Sequence, residues 1–138
     1  MTMREILFRG KHSHKSMWDY GDLYIDHDKV YISMRETMHG VRVHGEVIPE
    51  TVGQFTGLTD KNGKKIFEGD IVRAVLPKSN AIQEFVWPDM VVGFSEGAFS
   101  AMRGRYCTPL YSFAPAVELE VIGNIHENPE LMEGERHG

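Results

Sequence analysis

Apolar and polar residues alternate with a period of two along most of the chain, the spacing of half-buried strands rather than helices. "DLYID" places Leu23 and Ile25 on one face, and "KVYIS" does the same for Val30 and Ile32. With Asp26, His27 and Asp28 between them, the two runs predict a hairpin. "EILFRG" is a short apolar run that Gly10 is expected to close. "GVRVHGEVIPE" sets Val41 and Val43 inward against Arg42 and His44, until Pro49 interrupts the ladder for want of an N–H. In "MVVGFSEGAFSAM" Met90, Val92 and Phe94 share a face, Ser95 to Gly97 turn, and Phe99 and Ala101 return. "VELEVIGNI" is the cleanest strand, with Val117, Leu119 and Val121 against Glu118 and Glu120. Helical patterning is confined to "SMRETMHG", residues 33–40; between Pro77 and Pro88 a brief helical turn fits less well than a long excursion between strands.

The densest signal is "VGQFTGLTDKNGKKIFEGDIV", residues 52–72. A phosphate-binding loop is excluded, because five residues separate Gly57 from Gly63 and Lys65 stands where a metal-binding hydroxyl belongs. A calcium loop starting at Asp60 fails as well: its sixth position is Lys65, not glycine, and its twelfth is Ile71, not glutamate. A hairpin accommodates every residue. Asn62-Gly63 is the preferred pair for a two-residue turn with both central φ angles positive. Asp60, Lys61, Lys64 and Lys65 would then keep the tip in water, and "EGD" would bend or bulge at Gly69 before "IVRAVL", whose Val72, Ala74 and Leu76 supply one apolar face.

These elements predict a mainly β protein: a small antiparallel β-barrel-like domain, with little helix. An N-terminal β-rich lobe over residues 1–48 would precede a barrel-like lobe over 49–132, with 133–138 as a frayed tail. The 138 residues suffice for one domain with an appended lobe. No run approaches the roughly 20 apolar residues of a membrane span, and "MTMREILFRGK" lacks the three-part signal-peptide pattern. Cys107 is the single cysteine and has no internal disulfide partner, so cytoplasmic residence is the default expectation.

A net charge of −5 opposes indiscriminate attachment to nucleic acid. "RGKHSHK" nevertheless gathers Arg9, Lys11 and Lys15, a basic cluster that would serve nucleic acid together with loop aromatics, or would be a solvated loop. His12 and His14 would lie on one side of an extended chain, as two ligands of a metal-dependent enzyme would; the chain nominates no third ligand. His27, His39 and His44 lack a recognisable partner. Cys107 near Arg103 and Arg105 reads more simply as a small packed residue than as a nucleophile. Asp60, Glu68 and Asp70, or Glu118 with Glu120, have the residue types of paired acids but no cleft to work in. Trp18, Tyr20, Trp87, Tyr106 and Tyr111 fall in expected loops, where aromatics make contacts with partners. No catalytic, cofactor or metal set emerges. The candidate binding surface comprises Arg9, Lys11, His12, His14, Trp18 and Trp87.

"REILFRGK", "VIPETVGQFTGLTDKNGKKIFEGDIV" and "VIGNIHENPEL" resemble, in this order, the YopX-like proteins of bacteriophages and prophages. The resemblance implies a phage-associated accessory protein acting in the host bacterial cell, and it transfers no functional residue. "GDIV" after a turn also resembles the opening of SH3-like barrels. The expected role is therefore a non-catalytic module that binds an unknown protein partner or self-assembles. Exposed strand edges favour a homo-oligomer, with nucleic acid a less favoured ligand and no membrane association.

Overall fold

Turn chemistry sets the framework of this structure, a computed structural model that describes residues 4–34, 40 and 43–133. The fold is mainly β, built from curled antiparallel sheets. The chain divides into two compact units, Met1–Gly57 and Leu58–Gly138.

In the first unit, β1 (Phe8–Lys11), β2 (Trp18–Asp26), β3 (Lys29–Met34) and β4 (Val43–Glu46) lie side by side in the order β4-β3-β2-β1. The expected β2–β3 hairpin is present, with Asp26 opposite Lys29 and His27 at φ 57° in the two-residue loop. β1 then pairs along its second edge with the chain that follows β4. Ser13 N–H donates to the Glu46 carbonyl at 2.9 Å, Ile48 N–H to that of Lys11 at 2.9 Å, and His12 bridges Val47. Four strands thereby close on themselves. After a helical turn at Pro49–Thr51, the start of β5 (Gly53–Thr59) continues along β1, Gly53 opposite Arg9 and Gln54 opposite Phe8. Thr51 bridges the interruption: its Oγ1 accepts from Lys11 N–H and donates to the Ile48 carbonyl.

The interior face of this small closure has room for few side chains. Ile32 and Val47 are fully buried there, and glycines occupy neighbouring positions. A Cβ at Gly10 would meet Val47 Cγ2 at 2.8 Å, one at Gly21 would run into the Ser33 carbonyl, and one at Gly45 into the Asp19 carboxylate. Gly10 therefore does not close the first strand as expected; it sits inside β1 because the strand passes against Val47. Val43, expected to face inward, is 46% exposed at the start of β4, and its alternation partners Val41 and Arg42 lie outside the described residues. The expected helix at 33–40 falls largely outside them too, while Ser33 and Met34 end β3.

In the second unit, β7 (Asp70–Leu76), β9 (Met90–Ser95), β10 (Ala98–Arg103), β11 (Tyr106–Pro109) and β12 (Glu118–Asn124) form a sheet in the order β11-β10-β9-β7-β12, and β8 (Phe85–Val86) also pairs with β7. Its core keeps most of the expected face, but Phe94, expected inside with Met90 and Val92, stands 58% exposed against Phe99 near the β9–β10 turn, and Leu110 joins the core unforeseen. Val72, Ala74, Met90, Val92, Ala101, Leu110 and Ile66 of β6 (Lys65–Phe67) are buried, with Leu119 and Val121 packed against them. Full burial of a Val, Ile or Met side chain contributes about 1.5–3 kcal/mol. Residues 77–84 form an irregular connection, the long excursion expected between strands.

The turn between β5 and β6 differs from expectation. Gly63 N–H donates to the Asp60 carbonyl at 2.9 Å and Asp60 N–H to the Lys64 carbonyl at 2.7 Å; of the Asn62-Gly63 pair, only Gly63 has positive φ, 82°. This is a three-residue loop with a glycine bulge. The turn with two positive φ angles lies instead at Glu96 (49°) and Gly97 (82°), between β9 and β10.

Asp60 explains the difference. It is 7% exposed, not solvated. Its Oδ1 accepts from Asn62 N–H at 2.8 Å and Lys64 N–H at 2.9 Å, while Oδ2 accepts from Val121 N–H at 3.0 Å. Val121 lies at the irregularity where β12 skips a residue against β7, and Lys61 N–H donates to the Leu119 carbonyl beside it. One carboxylate thus shapes the turn and fastens it to β12. Asp70, 1% exposed, acts likewise: its Oδ2 accepts from Phe67 N–H at 2.8 Å across the turn at Gly69, whose φ is 92°. The Gly69 backbone bonds to Val92 and Ile125, drawing the turn onto β9 and the end of β12.

Burial alone raises the Asp60 pKa, but the N–H groups of Val121, Lys64 and Asn62, with the Lys64 charge, outweigh it and hold the carboxyl below its ordinary 3.8. A carboxyl depressed in the folded state contributes stability above its unfolded value and loses it as pH falls through the folded one. Urea midpoints taken downward from pH 6 should therefore fall more steeply below about pH 4 in the native chain than in Asp60→Asn. Asp60→Ala strands three backbone donors and should cost about 3 kcal/mol at neutral pH. Gly21→Ala, whose Cβ meets backbone that cannot step aside, should cost about 1–3 kcal/mol in the same measurement.

Candidate functional site

β7 is longer than either neighbour on its inner edge, and two strands share that edge. Ile71 and Val72 pair with Val91 and Met90 of β9, whereas Val75 and Leu76 pair with Val86 and Phe85 of β8. Trp87, Pro88 and Asp89 make the step between them. Proline disfavours helical backbone at the residue before it, which suits a continued extended path through Trp87. Trp87 N–H still reaches the Ala74 carbonyl at 3.0 Å.

Two arginines hold this step. Arg73 donates through Nε and Nη2 to the two Asp89 carboxylate oxygens at 3.2 and 3.3 Å, and this bonding raises the Arg73 pKa. Arg103 donates through Nη1 to the Asp89 carbonyl at 2.8 Å, and through Nη2 to the Met132 carbonyl at 3.4 Å. The latter bond ties down the helical turn Pro129–Met132.

A cleft of about 420 Å³ opens where the strands part, lined by Phe85, Trp87, Pro88, Met90, Arg103 and Tyr106. Met90 is fully buried, while Phe85 and Tyr106 are 53% and 48% exposed. The Trp87 ring is set edge-on between Phe85, at 4.7 Å between centroids, and Phe113, at 5.4 Å. Such contacts favour one ring orientation. The cleft can hold an aliphatic or aromatic group against aromatic walls, with Arg103 among its lining residues.

Of the candidate surface read from sequence, only Trp87 lies in this cleft. Arg9, Lys11 and Trp18 come together on the first unit's sheet, since Arg9 faces Tyr20 and Lys11 faces Trp18 across the β1–β2 ladder. Arg9 is buried, not a solvated cation: it is 5% exposed, with its guanidinium carbon 4.9 Å from the centre of the Trp18 ring. Lys11 is half-buried. His12 and His14 do not share an extended chain, because the backbone bends after His12. His12 Nδ1 instead accepts the His14 N–H at 3.0 Å, which commits one of the nitrogens a metal would use. Among the described residues, no three His, Cys, Asp or Glu side chains are grouped to hold a metal ion.

The other sequence candidates have local roles. His27 Nδ1 lies 2.8 Å from Asp26 Oδ1 at the exposed hairpin tip. His39 lies outside the described residues. Asp60 and Asp70 spend their carboxylates on backbone amides, and Glu120 lies 3.9 Å from Lys61. Cys107 is exposed on β11, in a more polar depression of about 330 Å³ with Ser95, Glu96, Ser100 and Tyr111. Sequence reasoning missed Phe85, Met90 and Arg103 as site residues. "FVWPDM" carried a usable signal, aromatic residues flanking a proline, but Arg103 reaches the cleft only through the fold.

Comparison with known proteins gives a family and a fold. A family model described as YopX protein matches residues 7–133. The crystal structure of protein EF1440 from Enterococcus faecalis is similar, with a TM-score of 0.52 and 24% identity, over 94% of this chain and 99% of that one. No curated protein matches. Among the described residues, no helix is long and apolar enough to cross a membrane.

If the paired arginines hold the 87–89 step, Asp89→Ala should lower stability by about 1 kcal/mol, the scale of a partly exposed ion pair. In a Trp18→Phe background it should also shift Trp87 emission to the red. Urea titration and fluorescence check both.

Proposed function

The chain belongs to the YopX protein family, and we propose that it is a non-catalytic binding module that grips an aliphatic or aromatic side chain of a protein partner in the Trp87 cleft. The observation that carries this reading is the split of β7's pairing between β8 and β9. It leaves an aromatic-walled recess with exposed rims on a braced scaffold, the combination expected of an interface anchor pocket. Three of the side chains considered for catalysis or metal binding are engaged in architecture. Asp60 and Asp70 hold turns, and His12 holds the His14 amide. The three sequence blocks shared with YopX-like proteins support a setting in bacteriophage or prophage biology, with the host cytoplasm as the place of action.

The test is selection from a displayed peptide library against the full chain, followed by titration of the selected peptides on Trp87 emission in the Trp18→Phe background. Peptides with a single large apolar anchor should be selected. Phe85→Ala and Tyr106→Ala, which alter exposed rims and leave the core intact, should each weaken binding about tenfold, or 1.4 kcal/mol. Selection of peptides without a shared anchor, or binding indifferent to both substitutions, would overturn the reading.

A further inference from the structure

The closed first unit turns an aromatic face outward. Residues directly opposite in neighbouring strands point to the same side of a sheet, so the ladder can be read in rows. Asp26 faces Lys29; Tyr24 faces Tyr31, which faces Glu46; Asp22 faces Ser33, which faces His44. Tyr20 faces Arg9, and Trp18 faces Lys11. The Tyr24 ring lies 5.9 Å from Tyr31 and 5.5 Å from His44, so three rings from three strands form one group. Tyr20 and Tyr24 are 46% and 47% exposed, and His44 is exposed. Exposed aromatics grouped this way and rimmed by polar residues mark an interaction surface.

Charge on this face is graded along the strands. At the hairpin end stand Asp26 and Glu46 with Lys29, whose Nζ is 3.9 Å from Glu46, and Asp22 lies midway along β2. At the other end stands Lys11, and Lys15 follows in the connection to β2, while Arg9 is buried beneath the Trp18 ring. A phosphate backbone laid across the face would meet carboxylates beside the rings. A second copy laid face to face with its strands antiparallel would set each basic end over the other's acidic end. A surface that complements itself under a half-turn is what an isologous dimer requires.

We propose that this face is a homodimer interface, in which Tyr20, Tyr24 and Tyr31 stack against their counterparts and the Lys11 end of each copy lies over the Asp26–Glu46 end of the other. The surface is distinct from the Trp87 cleft and does not depend on its role. β2 is about 30 Å long at ~3.3 Å per residue, and four strands at ~4.8 Å spacing cover about 14 Å. Even laid flat, such a face would bury at most about 840 Å² over both copies, below the ~1,000 Å² of a stable interface, so a weak dimer with a dissociation constant of roughly tens of micromolar is expected.

Sedimentation velocity on the full chain, over roughly 5–200 µM, tests it by bracketing that affinity. The native chain should form a dimer in that range. Tyr24→Ser with Tyr31→Ser should leave a monomer with native circular dichroism. Lys11→Glu should weaken association at least about tenfold, and Lys11→Glu combined with Asp26→Lys should restore it, a rescue no folding defect can mimic. A chain that stays monomeric throughout, a dimer indifferent to Tyr24 and Lys11, or a charge swap that fails to rescue would each overturn the proposal. So would a monomer whose Trp18 emission is quenched by an oligonucleotide or an oligosaccharide, which would assign the face to that ligand.

Discussion

A carboxylate buried at a turn and bonded to three backbone N–H groups is the constraint on which the second unit's arrangement depends. Asp60 is near in sequence to two of its donors, Asn62 and Lys64, and 61 residues from the third, Val121. The short-range bonds decide the loop type, and the long-range bond decides where the loop is fastened. Desolvating a carboxylate is costly unless its oxygens are satisfied, so the turn and the irregularity in β12 need each other. Asp70 repeats the device at the turn into β7, and the Gly69 backbone beside it joins β9 to the end of β12.

With β7 set in this way, the cleft follows from a mismatch of strand lengths. β7 has seven residues, β9 pairs with its first part and β8 with its last, and residues 87–89 cross the gap. A break in a sheet exposes backbone groups and loosens packing unless something replaces the missing ladder. Here Arg73 and Arg103 replace it, one on the Asp89 carboxylate and one on its carbonyl, and Trp87 N–H keeps a bond to Ala74. The recess is therefore a braced feature of the fold.

The first unit meets the opposite problem, too little interior. Four strands that close on themselves leave a space in which Gly10, Gly21 and Gly45 stand where larger residues would collide. With few apolar side chains accommodated inside, much of the unit's aromatic content stands on the other face, where Tyr24, Tyr31 and His44 group together. Glycines inside the closure and grouped rings outside it are two consequences of the same small radius.

Read alone, the sequence was enough for the all-β class, the β2–β3 and β9–β10 hairpins, the buried set Val72, Ala74, Met90, Val92 and Ala101, and the family. Period-two alternation and glycine at turns are local properties, and local steric preference decides them. It was not enough for the environments of Arg9 and Asp60, both charged and both buried, because a charge is hidden only when distant residues supply a ring or a set of N–H donors. Nor could it show which glycine pair takes two positive φ angles, since the Asp60 carboxylate overrides the preference of Asn62-Gly63. Arg103 joins Trp87 through strand pairing and not through nearness in the chain, and the tyrosine face is assembled by the register of three strands. Those positions depend on which strand lies beside which, and that is settled by closure and packing of the whole chain, not by any stretch of it.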